Sequence, residues 1–310
     1  MVRRSRSRGS SLWLFLLGCL AGAGALYLFL NRSDRQTSPS VPQGPAREVR
    51  RTEKSPPRPR VPSDHVEPES ATSKPATPIP PASGPVRGIR VALVVDDLGR
   101  SVEDLPPLEA LGVPITYAVL PFEEQTPQVV AELRRRGEEI LLHLPMEPKN
   151  GEDPGPGALR RGMSEEELRE KTLAALNAVP GAAGVNNHMG SGLSSEEGPM
   201  TTVLAVLAGR GLFFLDSRTS AESVGYKVAR ELGVPAAERQ VFLDGDPTPQ
   251  AIEAQFQRLL GLARLHGAAI AIGHPHPETL AALEREVPKA KAEGYEFVPV
   301  SYLLDRTGDE

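Results

Sequence analysis

Short, nearly all-apolar runs alternate with amphipathic segments from about residue 90 to residue 305. The apolar runs have the length of strands, and several of the segments between them repeat apolar residues at helical spacing. Strands that are apolar on both faces are typical of parallel sheets covered by helices. The predicted strands are VALVV (91–95), ITYAVL (115–120), EILLH (139–143), AGVNN (183–187), LFFL (212–215), QVFL (240–243), AIAIG (269–273) and FVPVS (297–301).

The helical patterns fall between these strands, at residues 126–137, 164–179, 200–211 and 249–267. Ser164 and Glu167 have the spacing of a capping box at the start of the second of them. Eight strands alternating with helices over about 215 residues predict an α/β fold, an irregular (β/α) barrel. An open doubly wound sheet is the alternative, but no glycine-rich phosphate loop follows the first strand.

Residues 1–30 have a different pattern. Four arginines between residues 3 and 8 precede an uncharged apolar run from Ser11 to Leu30. At about 20 residues, this run has the length of a transmembrane helix, and it continues past Cys19. We therefore expect an uncleaved single-pass anchor. A lipoprotein signal ending in LLGC at Cys19 is the alternative. The basic N-terminus favours a cytoplasmic start, which would place the rest of the chain outside the inner membrane, in the periplasm or envelope.

Residues 31–87 are rich in Pro, Ser, Thr and Arg, and they lack aliphatic periodicity. Such a segment buries too little apolar surface to fold, so we predict a disordered linker. The predicted organisation is thus an anchor (1–30), a linker (31–87) and one folded domain (88–305).

Charge and cysteine content exclude several classes of function. The formal net charge of -5 makes a nucleic-acid partner unexpected. The single cysteine, Cys19, rules out a disulfide framework and a Cys-rich zinc site. A metal in this chain must therefore be held by His, Asp, Glu or Asn.

Polar side chains follow six of the predicted strands. In parallel barrels the carboxyl ends of the strands carry the active site, so we expect these side chains to converge there. Histidine and aspartate suit a divalent transition metal, with Zn²⁺ the expected ion, and hydrolysis of an acyl or amide bond the expected reaction. The residues are Asp96 and Asp97, His143, His188, Asp216, Asp244 and His274.

Adjacent residues on a regular strand point to opposite faces. Asp96 and Asp97 can both enter the site only if the strand breaks there, which Gly99 favours. Otherwise one of the two aspartates caps a helix or orients another group.

Other polar residues have simpler alternatives. Asp216 either bonds a ligand histidine or forms a salt bridge with Arg218. Asp244, in LDGDP, is expected to be a turn residue. Asn186 and Asn187 are expected to contact substrate or the metal ligands. Glu147 and His276 are expected at the rim of the site.

Six motifs together resemble the divergent polysaccharide deacetylase family over roughly residues 88–304. This family is similar to an outlying branch of the metal-dependent polysaccharide deacetylases, which are carbohydrate esterases on an irregular (β/α) barrel. The motifs, in chain order, are VALVVDDLG, LLHLPMEP, PGPGAL, GVNNHMGS, LFFLDSRTS and IAIGHPHPET.

The resemblance implies roles for five residues. Asp96 would be the base and Asp97 a metal ligand, while His274 would be the acid. In the related deacetylases both metal histidines lie on one loop, four residues apart. Here HLPME offers only His143, so His188 from the next strand would supply the second imidazole.

The sequence thus predicts a membrane-tethered, metal-dependent hydrolase that removes acetyl groups from amino-sugar polymers of the cell envelope. A glycan-binding barrel without turnover is the alternative from another class. A metal hydrolase of a different ester is the third hypothesis.

Overall fold

The computed structural model describes residues 88–304, which are all but the last residue of the predicted folded domain. The predicted anchor, the predicted linker and residues 305–310 lie outside the described residues. Within the described part, no helix combines the length and the apolar content that crossing a bilayer requires.

The described part of the chain contains nine strands: β1 (Arg90–Leu98), β2 (Thr116–Val119), β3 (Glu139–Met146), β4 (Gly184–Met189), β5 (Phe213–Asp216), β6 (Ala236–Glu238), β7 (Val241–Phe242), β8 (Ala268–Gly273) and β9 (Glu296–Phe297). They form one parallel sheet in the order β6-β5-β4-β3-β2-β1-β8-β7, with β9 pairing to β1. β6 and β7 stand at opposite ends of this order, yet only residues 239–240 separate them along the chain. The segment therefore links the two ends and curls the sheet into an incompletely closed barrel.

Helices connect most of these strands, and the α/β order predicted from the sequence is confirmed. The predicted capping box is present as well: the Ser164 and Glu167 side chains each accept a hydrogen bond from the other residue's backbone N–H. The helices are α1 (Leu105–Glu109), α2 (Thr126–Arg136), α3 (Glu165–Ala178), α4 (Glu197–Arg210), α5 (Gly225–Glu231), α6 (Pro249–His266) and α7 (Pro277–Glu293).

The prediction of the last strand, FVPVS (297–301), is mostly wrong. β9 covers only its first residue, and residues 300–303 form a 3-10 helix. Pro299 lacks an amide hydrogen and so ends the strand pairing. The chain then crosses the amino ends of β2 and β3, where the Val300 N–H donates to Thr116 Oγ1 and the Ser301 N–H lies 3.3 Å from the Glu139 carboxylate.

Side chains alternate between two apolar cores. A large core lies between the sheet and the helices, and a smaller core fills the inside of the barrel. The inner core contains Ala92, Val94, Ala118, Leu141, Phe213, Leu215, Ala237, Ile270, Ile272 and Val300.

At the carboxyl edge of the sheet, inward-facing positions that follow the inner-core residues carry polar side chains. Because side chains alternate along a strand, the next inward position after Val94 is Asp96, and the next after Leu141 is His143. His274 likewise follows Ile272. Along β1, β3 and β8, the barrel interior therefore changes from apolar side chains to carboxylates and imidazoles within one inward-facing position.

Candidate metal centre

Three ligand atoms form a tight triangle at the carboxyl edge. Asp97 Oδ1 lies 3.4 Å from His143 Nε2 and 3.0 Å from His188 Nδ1. The two ring nitrogens are 3.1 Å apart. Metal–ligand bonds of about 2.0–2.1 Å in a tetrahedral zinc site place ligand atoms about 3.3–3.4 Å apart. The triangle therefore has the size expected of three protein ligands to one ion.

The chemistry of the three atoms also fits a cation. Asp97 Oδ1 is buried and makes no hydrogen bond, although both ring nitrogens approach it. Burial raises the pKa of Asp97, but the neighbouring His188 and His143 outweigh it and hold that pKa well below its usual range. A buried carboxylate and two imidazole nitrogens thus face one point, as a divalent metal requires.

A β-bulge brings both aspartates into the site. The register of β1 against β2 shifts between Val95 and Leu98, and Asp97 has φ 60. The predicted break is therefore a bulge inside β1, after which the strand resumes. Gly99 has φ 116, and a Cβ there would lie 2.9 Å from Thr126 Oγ1, so glycine is needed directly after the bulge.

Asn186 determines which nitrogen of His143 faces the triangle. Its Nδ2 donates to Asp96 Oδ1 at 2.9 Å, so its Oδ1 is the atom 2.9 Å from His143 Nδ1. An amide oxygen only accepts, so His143 Nδ1 carries the proton. His143 Nε2 is then the nitrogen that can bind a metal, because hydrogen-bond partners of metal-binding histidines usually fix the tautomer in this way.

Asp96 lies beside the triangle without belonging to it. Its Oδ2 is 3.5 Å from His143 Nε2, and only 3% of the residue is exposed. Burial raises the pKa of Asp96 above its ordinary value, while His143, His274 and the Asn186 hydrogen bond oppose the rise. A carboxylate with a raised pKa is a stronger base than one in water.

His274 is held by the carboxylate of Asp244, a residue predicted to lie in a turn. Asp244 does lie in a bend, but it is buried, and its Oδ1 is 3.0 Å from His274 Nδ1. Its Oδ2 accepts from the His274 N–H and from Thr279 Oγ1. Burial raises the pKa of Asp244, but His274 and the hydrogen bonds lower it overall. The available signal was position, because Asp244 directly follows an apolar strand.

Two aromatic rings contact the His274 imidazole. Phe242 packs edge-on with ring centroids 5.5 Å apart, and His276 stacks at the same separation. Asp244, His274 and His276 also offer ligand atoms within 4.8 Å of one another. Within this group, Asp244 and His274 already contact each other through a hydrogen bond.

Asp216 follows neither alternative considered for it. Its Oδ1 accepts from the backbone N–H of Arg218, and its Oδ2 accepts from Ser223 Oγ and the Tyr226 N–H. The Arg218 side chain instead pairs with Glu238, at 3.3 Å. Arg218 has φ 51, so the chain turns back on the strand end and surrounds the carboxylate. Asp216 therefore stabilises the loop after β5.

Glu147 and Asn187 also stabilise loops. The Glu147 carboxylate accepts from the backbone N–H and the guanidinium of Arg161, an interaction within the loop between β3 and α3. Asn187 accepts from the Ser217 N–H and donates to the Met189 carbonyl oxygen. Asn186 thus contacts a proposed metal ligand, His143. The hydrogen bonds of Asn187 and Glu147 are made to loop residues instead.

Comparisons with known proteins identify a family and several relatives. The sequence model described as divergent polysaccharide deacetylase matches residues 93–304. An uncharacterized protein of Haemophilus influenzae is 37% identical over 195 residues, which are 63% of this chain and 70% of that protein. The uncharacterized protein YibQ of Escherichia coli is 37% identical over 205 residues, 66% of this chain and 64% of YibQ.

One solved structure is similar in both sequence and fold. It is the crystal structure of an uncharacterized protein from Agrobacterium tumefaciens C58, with 31% identity and a TM-score of 0.65. The match covers 72% of this chain and 92% of that protein. The parallel, curled sheet thus occurs in a related protein of known structure.

Proposed function

The chain belongs to the divergent polysaccharide deacetylase family, and from that membership we propose that it is a metal-dependent hydrolase that removes acetyl groups from the amino sugars of a polysaccharide. The observation that carries the proposal is the triangle of Asp97, His143 and His188, with one further buried carboxylate, Asp96, beside it. A hydrolytic metal site needs protein ligands for the ion and a base for the attacking water, and these four residues can supply both.

Asp97, His143 and His188 would hold the ion, with Zn²⁺ the expected metal. Such an ion supplies Lewis-acid polarisation of an acyl carbonyl and acidifies water. Asp96 takes the proton of the attacking water. Asn186 occupies Asp96 Oδ1, so Oδ2, the oxygen nearer to His143 Nε2, is the one available as base.

His274 supplies a proton to the leaving group. His274 Nδ1 lies 3.0 Å from Asp244 Oδ1, so Nε2 is the nitrogen that we assign to donate to the amine nitrogen as the C–N bond of the acetamide breaks. The water's hydroxyl ends on the acetyl carbon, giving acetate and a free amino sugar. The packing of Phe242 against the imidazole restricts the ring to this orientation.

We further propose that residues 11–30 anchor the protein in the inner membrane and that the barrel lies outside the cytoplasm. Support comes from the length of the apolar run and the arginines that precede it. A polymer of the envelope would then be within reach of the site.

The function is tested by measuring metal content and acetate release from N-acetylglucosamine oligomers. Asp96→Asn is expected to keep much of its metal but to lose hydrolysis, because the amide cannot accept the water's proton. His274→Ala is expected to retain metal while turnover falls by about 10²–10⁴, the usual size of general acid catalysis.

The matched control is His276→Ala, which removes the imidazole stacked on His274 and is expected to lower turnover far less. If the parent protein binds metal but releases no acetate from any acetylated glycan, the glycan-binding alternative is favoured. If the parent protein binds no divalent metal, the proposed function is wrong.

A further inference from the structure

One large apolar side chain stands exposed beside the candidate site. Phe122 is 42% exposed and follows β2 at the carboxyl edge of the sheet. The other large hydrophobic residues exposed among residues 88–304 are Leu232, Leu265 and Tyr302. Leu232 and Leu265 precede β6 and β8, and Tyr302 lies in the 3-10 helix that crosses the amino ends of the strands. Those three are therefore at the opposite edge.

The turn that carries Phe122 is tied to the metal centre. β2 lies between β1 and β3, which bear Asp97 and His143. Oε1 of the next residue, Glu123, lies 3.4 Å from Arg100 Nε, and Arg100 Nη1 lies 3.6 Å from Asp97 Oδ2. Two ion pairs thus connect this turn to a proposed metal ligand.

The Phe122 ring rests on the backbone of Gly157. A Cβ at Gly157 would lie 2.3 Å and 2.5 Å from two ring carbons, so only glycine admits the ring at this position. The loop that contains Gly157 is fixed to the strand edge, because Leu159 exchanges backbone hydrogen bonds with Pro145 and Glu147. The ring is therefore supported from behind while part of its surface stays in solvent.

We propose that Phe122 is a stacking surface for a sugar ring adjacent to the one whose acetamide enters the metal site. The proposal rests on the proposed function and adds a preference for oligomers over a single amino sugar. The C–H groups of a pyranose ring form an apolar face that packs on an exposed aromatic ring, and aromatic residues commonly line ligand sites. Glu123, the next residue along the chain, and its ion-pair partner Arg100 offer an acceptor and a donor for sugar hydroxyls.

Stacking of a neighbouring sugar is the same in the bound substrate and in the transition state. Its loss is therefore expected in KM and not in kcat. The sensitive quantity is the ratio of kcat/KM for a long N-acetylglucosamine oligomer to kcat/KM for the monosaccharide.

We expect Phe122→Ala and Phe122→Leu in the full-length protein to lower this ratio by about three- to tenfold, the size of one aromatic contact. Phe122→Leu stays apolar but is not flat, and Phe122→Tyr, which keeps the flat ring, should retain the ratio. Leu265→Ala removes an exposed apolar side chain at the opposite edge and serves as the control.

If Phe122→Ala leaves the ratio of the two kcat/KM values unchanged, the inference is overturned. This holds also if kcat/KM falls equally for every substrate, because the ring would then only support the loop. If the parent protein releases no acetate, the proposed function fails and calorimetry decides the inference separately. A weaker affinity of Phe122→Ala for the long oligomer then supports the stacking surface, and an equal affinity overturns it.

Discussion

Replacing Asn186 by alanine is expected to weaken metal binding, although Asn186 does not belong to the metal triangle. The substitution removes the acceptor of His143 Nδ1 and the donor to Asp96 Oδ1, each at 2.9 Å. His143 then no longer has a fixed ring orientation or a fixed tautomer. Loss of such an outer partner typically costs about 10–100-fold in metal affinity.

The magnitude can be separated into a metal-binding part and a folding part. A loss of about 10–100-fold corresponds to about 1.4–2.7 kcal/mol of binding free energy. The metal-free protein is also expected to lose about 1–3 kcal/mol of unfolding free energy, because buried polar groups of His143 and Asp96 are left without a partner.

Asn187→Ala is the matched control for Asn186→Ala. Asn187 is also buried, at 1% exposure, but its hydrogen bonds go to the backbone of Ser217 and Met189 and to the Thr219 hydroxyl. We expect it to lower the unfolding free energy by a similar amount and to leave metal affinity nearly unchanged. Urea unfolding of the metal-free proteins and competition with a chelator measure the two quantities. Equal losses of metal affinity in both variants would refute the orienting role of Asn186.

Three further predictions concern the site, a helix and the N-terminal segments. His188→Ala should lose most bound metal with the circular dichroism of the fold retained, because two side chains do not fix a catalytic ion; full metal content would show that His188 is no ligand. Ser164→Ala should lower the unfolding free energy by about 1 kcal/mol through loss of the cap, and urea unfolding checks this value. A reporter fused after Leu30 should be membrane-bound and outside the cytoplasm, and proteases should remove residues 31–85 and stop there. Acylation of Cys19 would instead support the lipoprotein alternative.

The strand ends were predictable because two simple rules act together there. Apolar runs mark buried parallel strands, and the residue after each run must lie at the carboxyl edge of the sheet. His143, His188 and His274 follow from these rules alone. β6 does not, because Ala236–Glu238 lacks β-branched and aromatic residues and becomes a strand only by pairing with β5.

Hydrogen-bond partners were less predictable than positions. Sequence spacing shows that Asp216 and Glu147 follow strands, but not how the next loop folds back. The left-handed backbone of Arg218 and the return of Arg161 to β3 decide where these two carboxylates point. Asp97 similarly depends on a bulge, whose register is set by pairing with β2.

The three proposed ligands come from three different strands, and 45 residues separate His143 from His188 along the chain. A denatured chain therefore does not hold these three ligands close together, in contrast to a loop that carries both metal histidines a few residues apart. The ion would therefore bind the folded protein and scarcely bind the unfolded chain. At a free concentration of 100 times its Kd, it would add about 2.7 kcal/mol to the free energy of unfolding. Chelation would consequently lower the melting temperature of the barrel as a cooperative unit, so thermal shift measures occupancy of the site without any substrate.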